Sequence, residues 1–242
     1  MPTLFEDAVE LIRTAARELG PSFGWEFLYC PSSRLSKRSR LWFIGINPGG
    51  TLKRAVPCFE RGNAYYVDQP WSRDGEVLRN QVKNFFDRLA CALDTRLSGK
   101  RLLSETLTAN FCPFNSDTWR KFPKGERRKA LNLSRELWGR ILCRLSPRVI
   151  ICMGGVPFRE FRRLYRKMGY AFSKESTIGT GWGDVNFRLV DCSENGRLTT
   201  IIYLPHFSQI KLMRRDESLP HVKRLCLAIA ESLRRPNLKK PG

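Results

Sequence analysis

The sequence contains few of the residues that metal centres require. It has only two histidines, His206 and His221, and its eight cysteines are scattered without any C-x-x-C pair. This distribution argues against a zinc ribbon or a zinc knuckle, while an iron–sulfur cluster built from distant cysteines stays open as an alternative. We therefore predict no metal site, and thiols that are mostly reduced and buried, as in a cytoplasmic protein.

Long apolar runs and targeting signals are also missing. No apolar stretch approaches the ~20 residues that a transmembrane helix needs. Residues 1–19 mix acidic and basic side chains with apolar ones, which is not the pattern of a secretory signal peptide. The sequence shows no lipidation motif and no amphipathic helix with a continuous basic face. We expect a protein without a membrane partner.

Acidic residues are few relative to basic ones. The 242 residues include 43 Lys and Arg against 23 Asp and Glu, which gives a net charge of +20. A positive field of this size attracts polyanions, and nucleic acid is the leading candidate, although a basic protein without such a partner is the alternative. The length suits one large α/β domain or two small ones, with enough residues for a sizeable core.

One apolar run that ends in a rigid turn organises the chain. Residues 41–44, Leu-Trp-Phe-Ile, predict a strand buried on both faces, and Gly-Ile-Asn-Pro-Gly-Gly at 45–50 ends it. Ligands bind at the carboxyl ends of strands in open α/β sheets. Asn47 is therefore a candidate binding side chain, which Pro48 holds on a stiff turn. An ordinary Asn-Pro-Gly turn would explain this stretch equally well.

Three further apolar runs end in a similar break. Residues 106–111 carry Asn110 near their end, residues 148–153 end at a Gly-Gly pair, and residues 198–204 lead into Pro-His-Phe-Ser at 205–208. A half-exposed strand is predicted at 185–190 from its alternation of apolar and polar residues. Because three of the four breaks carry a polar side chain, Asn47, Asn110 or His206, the sequence predicts a shared site at one edge of a sheet.

Apolar residues at helical spacing predict the elements between the strands. The predicted helices cover residues 4–19, 77–93, 126–145, a basic segment that follows residue 155, and 222–233. The irregular, aromatic-rich stretch at 51–71 predicts a binding loop. No linker divides the chain, so we predict one domain over residues 1–233 and a basic, disordered tail over 234–242.

The ordered motifs at these breaks resemble the uracil-DNA glycosylase superfamily, and most closely its single-strand-selective monofunctional and mismatch-specific branches. Gly-Ile-Asn-Pro-Gly at 45–49 matches the first motif of those branches, and Ala-Val-Pro-Cys-Phe-Glu at 55–60 resembles the loop that supplies a stacking phenylalanine. Residues 110–113 match the motif that reads the base edge, residues 149–161 resemble the next strand, glycine turn and basic helix, and residues 206–208 take the place of the histidine motif. The resemblance implies a three-layer α/β/α sandwich with a central, mainly parallel four-stranded sheet.

The resemblance also implies a role for each motif residue in hydrolysing an N-glycosidic bond. Asn47 would position the water beside C1′, and His206 would donate a hydrogen bond to the base oxygen. The implied base contacts are made by Gly45, Ile46, Phe59 and Asn110. Of these, Phe59 would stack on the extruded base and Asn110 would read its Watson–Crick edge. The structural alternatives are a core phenylalanine, a turn-capping asparagine and a histidine satisfied at a strand end.

DNA contacts are implied for the glycines after Asn47 and for the segment after the histidine motif. Ser208 would bind a phosphate, and the apolar and basic residues after it suit a wedge that replaces a flipped nucleotide. The tip of this wedge would be Ile210, Leu212 or Met213, while a plain surface loop is the alternative. The predicted DNA-binding residues are Gly49, Gly50, Ser208, Lys211, Leu212, Arg214 and Arg215.

Two departures from the family pattern bear on the substrate. Phe207 replaces the proline that is usual in the histidine motif, so the loop could be shaped differently. Gly49 and Gly50 put no side chain at the place where some relatives block the C5 side of the base. A pocket open there would accept a bulky C5 substituent, such as the hydroxymethyl or glucosyl groups on the cytosines of certain phages.

The residues and the resemblance together predict a monofunctional DNA glycosylase that excises a uracil-like or C5-modified pyrimidine without a cofactor. The same chemistry directed at hypermodified cytosine in phage DNA, as antiviral defence, stays open, and so does a DNA-binding module without activity. A glycosylase/lyase with Lys53 as its amine nucleophile is a weaker alternative, because nothing nearby in sequence would activate that amine. We expect a monomer that acts on single- or double-stranded DNA in a bacterial cytoplasm, in association with a phage, or wherever the DNA is.

Overall fold

The structure is a computed structural model, and it describes residues 2–20, 24–50, 54–60, 66, 73–93 and 96–236. Its strands, in chain order, are β1 (Trp25–Glu26), β2 (Leu41–Gly45), β3 (Ala55–Val56), β4 (Leu107–Asn110), β5 (Val149–Met153), β6 (Ala171–Phe172), β7 (Ser176–Trp182), β8 (Val185–Glu194) and β9 (Arg197–Leu204). Its helices are α1 (Leu4–Leu19), α2 (Arg73–Ala92), α3 (Gly99–Glu105), α4 (Lys124–Arg144), α5 (Gly155–Lys167) and α6 (Leu219–Arg234).

The main sheet runs in the order β4-β2-β5-β9-β8-β6, and β7 pairs with β8. The first four strands of this order are parallel to one another, and β8, β6 and β7 continue the sheet with antiparallel pairing. The predicted parallel sheet of four strands is thus present, and among the described residues three antiparallel strands extend it. Because the four parallel strands point the same way, all their carboxyl ends lie at one edge, which we call the carboxyl edge.

Helices cover both faces of the parallel strands, because the side chains of β2 alternate between two apolar clusters. Trp42 packs against Trp138 of α4 with ring centroids 5.7 Å apart, in the cluster that also contains residues of α1 and α5. Phe43 faces the other way and packs against Phe86 of α2 at 5.5 Å, in the cluster shared with α6. Alternation with a period of two over a fully buried strand therefore produces the predicted three-layer α/β/α sandwich.

The helix predictions are confirmed to within a few residues at their ends, and within the described part of the chain one α-helix was missed. Thr3 begins α1 with a capping box, in which its hydroxyl accepts from the Glu6 backbone and the Glu6 carboxylate accepts in return. The missed helix, α3, has seven residues, too few for a periodic pattern. It packs so closely on α2 that a Cβ at Gly99 would lie 2.4 Å from the backbone nitrogen of Asp87. None of the described helices is long and apolar enough to cross a bilayer.

The carboxyl terminus differs from the predicted boundary. Arg234 belongs to α6 and donates to the carbonyl oxygen of Leu93 at 2.8 Å, and Arg235 pairs with Asp191 at 2.6 Å. These contacts attach Arg234 and Arg235 to the domain, so the expected disordered tail does not begin at residue 234. Residues 237–242 lie outside the described residues.

Candidate active site

Three polar residues lie at or just beyond the carboxyl ends of parallel strands. Asn110 is the last residue of β4, while Asn47 and His206 lie two residues beyond β2 and β9. In the sheet, β4 neighbours β2, and only β5 separates β2 from β9. Neighbouring strands are about 4.8 Å apart, so the backbones of β2 and β9 stand roughly 10 Å apart at this edge. The carboxyl edge thus brings together residues that are far apart in sequence.

Gly45 makes room for the side chain of Asn110. The two residues are paired in register across β2 and β4, and a Cβ placed on Gly45 would lie 2.6 Å from Oδ1 of Asn110. Asn110 is buried, and its Nδ2 has no hydrogen-bond partner among the described residues. A buried amide donor without a partner costs about 1–3 kcal/mol, which a bound carbonyl group would offset. Asn110 therefore has a free donor for a ligand.

The backbone around Asn47 is held by the segment that follows β4. Pairing continues beyond the strand ends, since Phe111 and Cys112 donate to the carbonyl oxygens of Gly45 and Ile46 at 2.9 and 2.8 Å. Ser116 then donates to the carbonyl oxygen of Pro48 at 3.1 Å. These bonds fix the backbone of Gly45 and Ile46, the two residues predicted to contact the base.

The side-chain amide of Asn47 has a defined orientation. Its Nδ2 donates to the carbonyl oxygens of Pro48 at 2.8 Å and Ser116 at 3.2 Å. Because these two bonds use both hydrogens of the amide, Oδ1 is the atom left to accept from a ligand or a water molecule. The side chain is partly accessible, so a water molecule can reach it.

His206 is held as a neutral ring with its proton on Nε2. The backbone N–H of Ser208 donates to Nδ1 at 3.3 Å, and the Ser208 hydroxyl lies 2.7 Å from the same nitrogen. A backbone N–H can only donate, so Nδ1 accepts and Nε2 carries the hydrogen. Desolvation by the surrounding protein lowers the pKa of His206 below 6.5, which keeps the ring neutral at pH 7. His206 thus offers an uncharged donor at Nε2.

The predicted stacking residue, Phe59, packs against the apolar cluster that contains Phe43. Phe59 is partly buried and meets Tyr29 edge to face, with ring centroids 6.0 Å apart. Tyr66, the one described residue of the stretch 61–72, is buried and contacts Tyr29 and Phe43. Lys53, considered above as an amine nucleophile, lies outside the described residues.

Gly49 and Gly50 are both exposed at the carboxyl edge. A Cβ on Gly49 would have no neighbour within 4 Å, and the backbone φ of Gly49 lies outside the left-handed region. Gly50 has a φ of +84°, which a side chain would strain. Side chains can therefore be added at Gly49 without distorting the turn, but not at Gly50.

The loop after His206 is anchored by apolar side chains. Phe207 and Leu212 are fully buried, and Met213 is 8% exposed. The prediction that Leu212 contacts DNA is therefore wrong for this structure, and Met213 is likewise unsuitable as a wedge tip, because both side chains pack into the core instead of facing solvent. Ile210 is partly exposed and stays the candidate for the tip. Phe207, in place of the usual proline, packs against Phe85 of α2 with ring centroids 5.8 Å apart.

The basic residues of this loop differ in their availability. Lys211 and Arg214 are exposed. Arg215 is partly buried, with its guanidinium 4.6 Å from the ring centroid of Trp182 and an ion pair to Glu217 at 3.5 Å. Lys211 and Arg214 are thus the better placed of the predicted phosphate contacts, because Arg215 already has partners.

A comparison with protein families identifies the chain. The sequence profile of the family described as Uracil DNA glycosylase superfamily matches residues 33–229, about four-fifths of the 242 residues. The chain belongs to the uracil DNA glycosylase superfamily. A comparison with curated proteins finds no match. Members of the superfamily are DNA glycosylases, and membership therefore indicates excision of uracil-like bases and a DNA partner.

The described residues were also searched for metal ligands and for reactive thiols. Among the described residues, no group of three or more His, Cys, Asp and Glu side chains could hold a metal ion. Burial raises the pKa of the thiols of Cys30 and Cys112, the latter to about 12, so both stay protonated at pH 7.

Two residues of the site were missed by the sequence analysis. Gln81 of α2 is 1% exposed, and its side chain forms hydrogen bonds with the backbone of Phe207 and Met213, at the two ends of the loop that follows His206. A glutamine within an amphipathic helix gives no sequence signal of such a role, since its partners lie more than 120 residues away. Ser116 was missed for the same reason, because it acts on Asn47 through its backbone carbonyl oxygen.

Proposed function

We propose that this superfamily member is a monofunctional DNA glycosylase of the single-strand-selective or mismatch-specific kind. It flips a pyrimidine nucleotide out of DNA and hydrolyses the bond between base and deoxyribose, which leaves an abasic site. The supporting observation is the convergence of a fixed Asn47 amide, the Asn110 amide and a neutral His206 donor at one edge of the sheet.

Hydrolysis of this bond needs a water molecule on the sugar side. The reaction leaves positive character at C1′, and water completes it by forming the new C–O bond and losing a proton to solvent. Oδ1 of Asn47 accepts a hydrogen bond from this water, because Nδ2 is occupied by two carbonyl oxygens. An amide cannot take up the proton itself, so Asn47 orients the water rather than acting as a strong base.

The departing base takes the electron pair of the broken bond and becomes negatively charged. His206 donates from Nε2 to the base carbonyl oxygen nearest that bond, and a preorganised donor of this kind contributes about 2.7–4 kcal/mol to lowering the barrier. The Ser208 N–H keeps the ring in this tautomer. Since Asn47 activates water only weakly, stabilising the departing base has the larger part in catalysis.

Asn110 and Phe59 hold the extruded base. The free Nδ2 of Asn110 donates to a carbonyl on the Watson–Crick edge of a pyrimidine, and Phe59 stacks on the ring. The exposed Lys211 and Arg214 contact phosphates, and the net charge of +20 attracts the DNA.

The glycines after Asn47 support a second proposal, that the substrates include pyrimidines with a substituent on C5. Gly49 is exposed and a side chain there would meet no neighbour within 4 Å, so this region leaves space for a group on C5 of the base. The substrate class then extends to C5-modified pyrimidines, including hydroxymethylated or glucosylated cytosine of phage DNA. Removing such bases would serve antiviral defence rather than repair.

One panel of substrates tests both proposals. The protein is incubated with single- and double-stranded DNAs that carry uracil, hydroxymethyluracil, hydroxymethylcytosine or glucosylated cytosine, and abasic sites are detected by alkali cleavage. Strand cleavage only after alkali supports the monofunctional assignment, whereas cleavage without alkali and trapping by borohydride indicate a lyase. A folded protein that binds DNA but leaves every substrate intact would instead be the inactive DNA-binding module.

Changing Gly49 to tyrosine separates the two substrate classes. The ring should fill the space beside C5, so excision of C5-substituted bases should fall much further than excision of uracil. Gly49→Ala is the matched control, since its Cβ meets no neighbour. An unchanged ratio of the two rates, or a wild type active on uracil alone, contradicts the open pocket.

A further inference from the structure

A buried glutamine holds both ends of the loop that carries His206. Nε2 of Gln81 donates to the carbonyl oxygen of Phe207, and Oε1 accepts from the backbone N–H of Met213 at 3.3 Å. Gln81 is 1% exposed, so both bonds are shielded from water. One side chain of α2 thus satisfies a backbone acceptor at the start of the loop and a backbone donor at its end.

Apolar contacts from the same helix strengthen this attachment. Phe85, one turn after Gln81, packs against the ring of Phe207 with centroids 5.8 Å apart. Leu212 is fully buried at the other end of the loop. Between these two anchors, the N–H of Ile210 donates to the carbonyl oxygen of His206 at 3.1 Å. The loop is therefore a closed turn fixed at two points on α2.

We propose that Gln81 is a positioning residue for His206, a role that rests on the proposed function of the imidazole. Its bond to the Phe207 carbonyl acts on the residue next to His206, so it sets where the ring lies above the carboxyl edge. An apolar residue would leave Phe207 and Met213 with unpaired backbone groups, which would recover partners by moving the loop toward water. A shift of about 1 Å in a catalytic group can cost roughly 100-fold in rate.

Two variants of Gln81 test this role. Gln81→Leu removes both hydrogen bonds, and Gln81→Glu in its ionised form keeps the acceptor for Met213 but has no donor for Phe207. Single-turnover excision should fall roughly 10- to 100-fold in Gln81→Leu, whereas affinity for non-target DNA should stay within a factor of about two. Thr199→Val is the matched control, because it also removes two buried hydrogen bonds, one donated to Pro147 and one accepted from Tyr165, at the opposite end of β9. This control should keep the wild-type rate.

A double variant separates positioning from general destabilisation. In a His206→Ala background, Gln81→Leu should cause no further loss of rate, because the group that it positions is gone. A general structural role would instead lower the rate by the same factor in both backgrounds. That result, or a wild-type rate in a folded Gln81→Leu protein, would overturn the proposal. If Gln81→Leu does not fold, the rates of Gln81→Glu in the wild-type and His206→Ala backgrounds are compared in the same way.

The NMR signals of the His206 ring give a readout that needs no turnover. The nitrogen shifts report which ring nitrogen carries the proton, and they should change in Gln81→Leu but not in Thr199→Val. A wild type without activity on any substrate refutes the proposed function, yet the ring signals still test the effect of Gln81. Unchanged ring signals in Gln81→Leu refute the positioning role alone.

Discussion

One methyl group added to Gly45 should displace the Asn110 amide without unfolding the protein. In Gly45→Ala the new Cβ would lie 2.6 Å from Oδ1 of Asn110, whereas ordinary contacts begin at 3.4 Å. The oxygen must therefore move by about 0.8 Å. The moving atom is the end of a side chain and the φ of Gly45 is ordinary for a strand, so we expect a stability cost at the lower end of the ~1–3 kcal/mol that overpacking causes.

The expected effect on excision is much larger than the effect on stability. If Asn110 contacts the base as proposed, a displacement of its amide approaching 1 Å should lower single-turnover excision by roughly 10- to 100-fold. Thermal unfolding measures the stability, and the excision rate is measured on whichever DNA of the substrate panel the wild type cleaves best. Gly49→Ala should change neither quantity, because its Cβ meets no neighbour within 4 Å.

Combining Gly45→Ala with Asn110→Ala shows whether the loss of excision rate is caused by displacement of the Asn110 amide. When Asn110 is already alanine, the clash with Oδ1 no longer exists, so Gly45→Ala should cause no further loss of rate. A folded Gly45→Ala protein with the wild-type rate would refute the idea that the orientation of the Asn110 amide matters. An equal loss in both backgrounds would assign the effect to the backbone of Gly45 instead.

Three further outcomes follow from the site. Asn47→Ala and His206→Ala should each lower single-turnover excision about 100-fold or more while DNA affinity barely changes, and near-normal excision would exclude that residue from catalysis. The proposed mechanism uses the neutral ring of His206, whose Nδ1 accepts from the Ser208 N–H, and protonation of the ring would remove that acceptor. Because burial lowers the pKa of His206, the rate should stay level as the pH falls through 6.5 and decline only at lower pH, a decline that His206→Ala should lack. In salt titrations of non-target DNA binding, Arg214→Gln should reduce the slope by about one unit, and Arg215→Gln by less, since Arg215 is stacked on Trp182.

Much of the parallel core could be predicted because its signals are local. Four largely apolar runs that lead into glycine or proline marked β2, β4, β5 and β9, and helical spacing marked α1, α2, α4 and α6. The strand β7, Ser-Thr-Ile-Gly-Thr-Gly-Trp, was missed because it is mostly half-buried, polar and interrupted by two glycines, so it lacks an apolar pattern. The short strands β1, β3 and β6 have two residues each, which is below any periodic signal.

The amino-acid sequence by itself determined which chemistry stands at each strand end. Asn47, Asn110 and His206 each follow an apolar run, and the carboxyl ends of parallel strands must share an edge, so their convergence could be inferred. The order of the motifs was likewise sufficient to indicate the superfamily that the family profile confirms.

Only the tertiary structure decided which atoms of these residues are available. Nδ2 of Asn47 is occupied by Ser116, 69 residues away, and Gln81 bonds the carbonyl of Phe207 across 126 residues. The burial of Leu212 and the stacking of Arg215 likewise depend on elements that only folding brings near them. Hydrogen bonding and burial are properties of three-dimensional surroundings, and neither leaves a periodic trace in the chain, so these features could be found only in the folded molecule.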